Sequence, residues 1–435
     1  MTAIVTAVVF GAVLAIATGL RPADENPCYR SCELATPMTC IYNFTLSTYF
    51  TLSRPRCGRC PHNQSDCGNF GCVPADGVKR VVSLVNLVFP APSIQICSGD
   101  EVVVNVTNNM MNGEGTTIHW HGLYQDGSQF MDGVPMVTQC PIPSPGNFQY
   151  RFTSYQPGTH WYHTHTGLQR SDGLMGTLVV RESKRTDPSG DLYDHDLAEH
   201  VIFLNEWYYR PMTDFIARVK WGIPPLVDSI LINGKGISPS TSPPRPPLEV
   251  FNVEQGQRYR FRVINGASGD CTMQISVQNH SLLVIASDGV SFQPQQVDYF
   301  RISAGERFDF VLNANQSIDN YLIEVIGLPC TNTLGGATKQ IAHLHYDGAS
   351  EPPTVDELPN IESFGDEATW WQTFPDKSIA EVNSTNVHHW STDGAENHQE
   401  YMEIKYFQYF NPTTNVVEYI PQINGISFHL PTSPP

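Results

Sequence analysis

The chain is poor in positive charge. Its 435 residues carry 25 Lys plus Arg against 43 Asp plus Glu, a formal net charge of -18, and a field of that sign disfavours nucleic acid and anionic membrane surfaces as partners. Long apolar runs are equally scarce. Only residues 2–20 approach the roughly 20 apolar positions that a membrane helix needs, and small residues around Ala15, Ala17 and Gly19 offer a cleavage region. Residues 1–20 are therefore expected to be a signal peptide and the chain to be secreted, with no membrane contact beyond that leader. Amphipathic helix patterns are sparse too, the best being residues 212–221, where Phe215, Ile216 and Val219 recur at helical spacing. What remains is a chain that reads mostly as strands.

Cysteine, by contrast, is concentrated: eight of eleven lie between Cys28 and Cys97. The spacing of Cys57, Cys60, Cys67 and Cys72 fits zinc loosely, but behind a leader this density reads better as disulfides formed in an oxidising compartment, their connectivity open. Six sequons, at Asn43, Asn63, Asn105, Asn279, Asn315 and Asn383, agree with an exported glycoprotein. Eleven is odd, so at least one thiol lacks a partner within the chain.

The length predicts two or three domains. Residues 21–77 form a Cys-rich segment with little hydrophobic periodicity. From residue 78 apolar residues alternate, and residues 251–263 align without gaps on residues 94–106, Gly256 falling on Gly99; a looser third version runs through Ile302, Gly305, Phe308, Phe310 and Leu312. This repetition predicts an all-β chain with sandwiches over residues 78–185 and 191–350, joined by a turn-rich linker near Asp187-Pro188-Ser189-Gly190. A third unit over residues 356–435, containing Trp370, Trp371 and Phe374, is shorter than the roughly 100 residues of a sandwich.

Two segments carry the chemistry. In Thr117-Ile118-His119-Trp120-His121-Gly122, and again in His163-Thr164-His165 within Gly158-Thr159-His160-Trp161-Tyr162-His163-Thr164-His165, histidines stand two apart in strand-like sequence. Residues i and i+2 of a strand share a face, so each pair aims two imidazoles at one point. Imidazole suits copper, zinc, iron and nickel alike. His160 falls outside this register and reads as structural, as does the third pair, His343 and His345, which Tyr346-Asp347-Gly348 follows.

The order of motifs narrows the metal. His119-Trp120-His121-Gly122, Phe130-Met131-Asp132-Gly133-Val134-Pro135, Thr138-Gln139-Cys140-Pro141-Ile142, the segment 158–165 and Asp172-Gly173-Leu174-Met175-Gly176 together resemble the multicopper oxidases, and the insect-type laccases most closely. The resemblance implies tandem cupredoxin-like domains. It also implies a copper enzyme that takes electrons singly from a phenolic substrate at a type 1 site and passes them to a cluster reducing dioxygen to water. On that pattern His119 binds type 2 copper, His121 and His163 one type 3 copper, and His165 the other. Asp132 matches a carboxylate that helps supply protons, although a plain turn aspartate before Gly133 has the same appearance. The family ties the region of Cys140 to a cysteine late in its third domain, which marks Cys140 as the unpaired thiol; Cys271 and Cys330 are the competing partners.

The motifs HPxHxHG and HCHxxxH, which complete the family's cluster and its type 1 site, do not occur in the chain. Residues 356–435 are accordingly expected to be a truncated third cupredoxin domain and the chain a fragment without oxidase activity of its own. A ferroxidase and a non-enzymatic copper-binding glycoprotein are the alternative functions. Without the type 1 cysteine thiolate, the purified chain should lack intense blue absorption and bind less copper than a complete family member. A blue protein prepared from this sequence would contradict that.

Overall fold

The computed structural model describes residues 26–215, 226–238, 242–269, 271–331, 337–354, 356, 404–411, 416–423 and 426–427. The expected leader, the sequon at Asn383 and the aromatic residues Trp370, Trp371 and Phe374 lie outside them. Of the candidate helix at residues 212–221, the described part is one 3-10 turn, Met212–Phe215.

Two β-sandwiches hold the chain. The first contains β1 (Thr39–Phe50), β2 (Val81–Val85), β3 (Ala91–Cys97), β4 (Glu101–Asn108), β5 (Ile118–His121), β6 (Gly146–Thr153), β7 (Gly158–Thr164) and β8 (Met175–Arg181), in sheets ordered β2-β1-β4-β6 and β3-β8-β7-β5. The second contains β9 (Val201–Trp207), β10 (Ser229–Ile232), β11 (Val250–Val253), β12 (Arg258–Asn265), β13 (Thr272–Val277), β14 (Leu282–Ser287), β15 (Val290–Val297), β16 (Tyr299–Ile302), β17 (Arg307–Asn313), β18 (Asn320–Thr331) and β19 (Ala337–Tyr346). Its sheets run β10-β9-β12-β17-β14-β15 and β11-β19-β18-β13-β16. A further antiparallel sheet joins β20 (Ile404–Asn411), β21 (Val416–Ile423) and β22 (Ile426–Ser427).

The sequence repeat has a structural meaning. Each copy is a strand of one sheet, a glycine corner, and a strand of the facing sheet: β3 to β4 through Gly99, β11 to β12 through Gly256, and β16 to β17 through Gly305. The three glycines have φ of +90°, +88° and +87°, a region in which a Cβ is strained. The repeated glycine therefore marks where the chain turns across a sandwich.

β1 departs from the expectation. It lies inside the supposed Cys-rich segment, yet it pairs parallel with β4 and antiparallel with β2, and Cys40, Tyr42, Phe44 and Leu46 point alternately into the first core. The period-2 pattern is there, but surrounding cysteines and turns obscure it. The cysteines pair as Cys28–Cys40, Cys32–Cys97, Cys57–Cys72, Cys60–Cys67 and Cys271–Cys330, so the zinc alternative falls. Cys140 is free and exposed, as the odd count suggested.

The sandwiches meet along the outer face of the β3-β8-β7-β5 sheet. Trp161, Met175 and Val179 from the first pack on Val201, Phe203 and Ile264 from the second. A buried Trp withdraws about 200 Å² from water, roughly 5 kcal/mol of hydrophobic stabilisation. Beside this patch Thr159 donates its hydroxyl to Asp309 and accepts from Arg262 Nη1 at 2.8 Å. Arg262 also pairs with Asp196 at 2.7 Å, and Arg260 with Asp187 at 2.7 Å. Burial alone would raise the Asp196 carboxyl, but Arg262 and Arg181 hold it well below the usual range. The linker thus supplies Asp187, and the start of the second sandwich Asp196, to a charged seam.

Where residues 75–76 meet the second sandwich, Ser238 N–H donates to the Asp76 carbonyl at 3.2 Å. Burial pushes the Asp76 carboxyl up to about 6, hydrogen bonds from Val78, Ser229 and Tyr209 opposing it. Between about pH 4 and 6 the folded chain therefore retains a proton that the unfolded chain has lost, so this group's contribution to stability falls as pH rises and levels off above about 6. The loss amounts to roughly 3 kcal/mol. Urea denaturation of wild type and Asp76→Asn across pH 4–8 should show their stability difference changing through that window and constant above it; a difference independent of pH would contradict the assignment.

Candidate metal centre

β5 and β7 run antiparallel with His119 opposite His163, Trp120 opposite Tyr162 and His121 opposite Trp161. Cross-strand partners share a face, so two faces sort themselves. Ile118, Trp120 and Tyr162 enter the first core, whereas His119, His121, Trp161 and His163 point outward toward the seam. The histidines thus share one face of two neighbouring strands of the first sandwich, the outer face of its β3-β8-β7-β5 sheet.

One ring nitrogen from each of His119, His121 and His163 lies within 4.8 Å of the other two, a group that could hold a metal ion. Their orientation leaves one nitrogen free on each ring. His119 Nδ1–H donates to the Asp132 carbonyl at 2.8 Å and His163 Nδ1–H to the Thr164 carbonyl at 2.9 Å, so both present Nε2. His121 instead turns Nδ1 toward His163 Nε2, 3.3 Å away. His163 Nε2 thus turns its lone pair to His121 Nδ1 at hydrogen-bonding distance, and in the Nε2–H tautomer of His121 the two nitrogens would suit a shared cation; backbone acceptors that hold the other nitrogen are the usual outer support of metal-binding histidines. The donor set fits copper among the imidazole-loving metals. His165 is exposed just past the end of β7, its ring centroid 5.3 Å from that of His119, as near as the rings of the trio are to one another, although its nitrogens do not join the three that lie within 4.8 Å.

Burial and nearby positive charge keep the His121, His163 and His165 rings neutral. Burial, then Arg307, pushes His121 down to about 3; burial, then Arg170, pushes His163 well down; burial, then His119, lowers His165. A neutral imidazole retains the lone pair that ligation requires. The Asp132 carboxylate lies 3.3 Å from His119 Nδ1.

Among the described residues, His160, His343 and His345 make other contacts. His160 is buried and bonds the Gln156 carbonyl through Nε2 at 3.2 Å. His343 and His345 lie in β19, where His343 N–H donates to the Glu249 carbonyl at 2.8 Å and His345 Nδ1 meets Asn320 Oδ1 at 2.7 Å. Sequence reasoning missed three neighbours. Trp161 stacks on His121 at 4.9 Å and lies 4.4 Å from His163; Arg170 sits over the Trp161 ring at 5.6 Å; Arg307 reaches across the seam to donate Nε–H to the Thr159 carbonyl at 3.0 Å. Trp161 was legible as His121's strand partner. Arg170 and Arg307 carried no local signal.

Profiles of the multicopper oxidase family match residues 67–185 and 198–349. The chain is 42% identical over 295 residues to Laccase-5 of Trametes villosa, covering 66% of this chain and 54% of that one. It is 41% identical over 296 residues to a laccase of Pycnoporus cinnabarinus, covering 67% and 55%. In fold it is similar to the crystal structure of a laccase from Botrytis aclada, with TM-score 0.64 and 28% identity over 90% of this chain and 64% of that one. The chain spans about half the length of the curated relatives it matches. These relatives are fungal, so the insect-type likeness rests on the motifs alone.

Gly133 fastens the Asp132 loop to β5. Its φ is +81°, and a Cβ there would lie 1.8 Å from the Ile118 carbonyl oxygen. Gly133→Ala should therefore lift the loop, pull the Asp132 carbonyl from His119 and cost on the order of 3 kcal/mol. A urea midpoint within experimental error of wild type would contradict this.

Proposed function

The chain belongs to the multicopper oxidase family, and from that premise we propose that it forms the dioxygen-side part of a laccase-type oxidase, secreted, with phenols or diphenols as electron donors. The observation that carries the reading is the trio of free imidazole nitrogens within 4.8 Å on one face of a rigid sheet. When bound, copper supplies one-electron chemistry, so that four electrons taken singly from phenols, with four protons, convert one dioxygen to two waters. His121 Nδ1 and His163 Nε2, the closest pair, hold one copper; His119 Nε2 holds a second and His165 a third.

Each further part has a physical task. The Asp132 and Thr164 carbonyls fix the tautomers of His119 and His163. Trp161, fully buried, closes the seam side of the site to water. The Asp132 carboxylate, partly exposed and beside His119, is placed to hold and hand on a proton taken from solvent. The predominance of acidic side chains favours arrival of a cation.

Cu2+ titration of the purified chain tests this. Wild type should bind copper, and His163→Ala should weaken binding about tenfold or more, as His119→Ala should, whereas His345→Ala should leave it unchanged, folding being checked by thermal denaturation. Equal binding by wild type and His163→Ala would overturn the reading.

A further inference from the structure

The sheet-crossing corner occurs three times, and its three glycines face different surroundings. A Cβ on Gly256 would meet nothing within 4 Å, and one on Gly99 would meet Pro37 and Tyr155 side chains at ordinary distances of 3.5 and 3.6 Å. A Cβ on Gly305 would lie 3.2 Å from Cε1 and 3.5 Å from Nε2 of His121. The third corner therefore rests against the edge of the imidazole whose Nδ1 reaches toward His163, while Trp161 covers the face of the same ring.

The corner is itself tied down. Gly305 N–H donates to the Asn265 carbonyl at 2.8 Å, and Arg307 Nη1 donates to the Gly305 carbonyl at 3.2 Å. The same guanidinium pairs with Asp288 at 2.8 Å and donates Nε–H to the Thr159 carbonyl of β7 at 3.0 Å. Arg307 thus clamps the second sandwich's corner to the strand that carries His163.

We infer that Gly305 is a positioning residue for His121: the second sandwich, which supplies none of the trio, sets the direction of His121 Nδ1 through this corner. The inference rests on the proposed role of His121 as a copper ligand. A methyl group at 3.2 Å is closer than the 3.5–4.0 Å at which carbon atoms pack best, so the ring must turn or the corner retreat. Either movement misdirects Nδ1, and metal sites tolerate errors of about 0.5 Å.

Gly256 provides a matched control, because an alanine there carries the same left-handed strain, about 1–2 kcal/mol, with no histidine beside it. Gly305→Ala, Gly256→Ala, Arg307→Gln and His121→Ala, made in the full chain, would be compared by Cu2+ equilibrium dialysis, the electron paramagnetic resonance spectrum of bound Cu2+ and thermal midpoints. The two glycine variants should lose similar stability. Gly305→Ala should bind Cu2+ about tenfold more weakly with an altered spectrum, whereas Gly256→Ala should match wild type. Arg307→Gln adds no atoms at the ring and removes a nearby positive charge; positioning predicts weaker binding, electrostatics alone tighter, and this variant decides should Gly305→Ala fail to fold. Binding by Gly305→Ala equal to that by Gly256→Ala, or binding by Arg307→Gln equal to or tighter than wild type, overturns the inference. Should His121→Ala bind as wild type does, the ligand reading falls and takes this one with it; should His121→Ala alone weaken binding, only the positioning role is lost.

Discussion

The burial of β7 on both faces is the constraint from which the rest of the structure follows. One face adds Tyr162 to the first core, and the other sets Thr159, Trp161 and His163 against the second sandwich. A strand held in this way has little freedom to slip, since a one-residue shift would move Tyr162 into the seam and Trp161 into the core. His163 inherits that rigidity, and β5 acquires it by pairing. The metal centre is thus built on two strands rather than on loops, which is where precise geometry is easiest to keep.

The seam serves two purposes with different chemistry. Its apolar part contributes hydrophobic stabilisation, while the linked groups Thr159, Asp309, Arg262, Asp196 and Arg260 fix the angle at which the sandwiches meet. Buried ion pairs contribute little net stability, but they are unforgiving of misalignment, because a separated partner stays buried and uncompensated. Close backbone approach accompanies them, as at Gly158, where a Cβ would lie 2.5 Å from the Gly289 Cα. A domain without trio ligands can in this way still shape the site.

Local signals in the sequence were enough for much of this. The His-x-His spacing placed His119 with His121, and His163 with His165, because strand geometry is a local property, while the meeting of the two pairs was implied by the family resemblance; the glycine repeat revealed the corners before their role was apparent. β1 was hidden although its Tyr42, Phe44 and Leu46 alternate correctly, because cysteines and turns on either side dominated the pattern. The seam was not legible. Asp187, in the linker, and Asp196, at the start of the second sandwich, gave no sign of pairing with Arg260 and Arg262, more than sixty positions away. The exposure of His165 also escaped the strand argument, since β7 ends at Thr164 and the i, i+2 rule stops with it.

The central claim is that the imidazoles carried by the β5 and β7 segments form the copper site. X-ray absorption at the copper edge, on the chain loaded with one equivalent of Cu2+, tests it most directly. The account predicts a first shell of nitrogen and oxygen with the outer-shell scattering of imidazole, retained when the exposed thiol of Cys140 is blocked. A sulfur ligand, or a shell of oxygen without imidazole scattering, would contradict it.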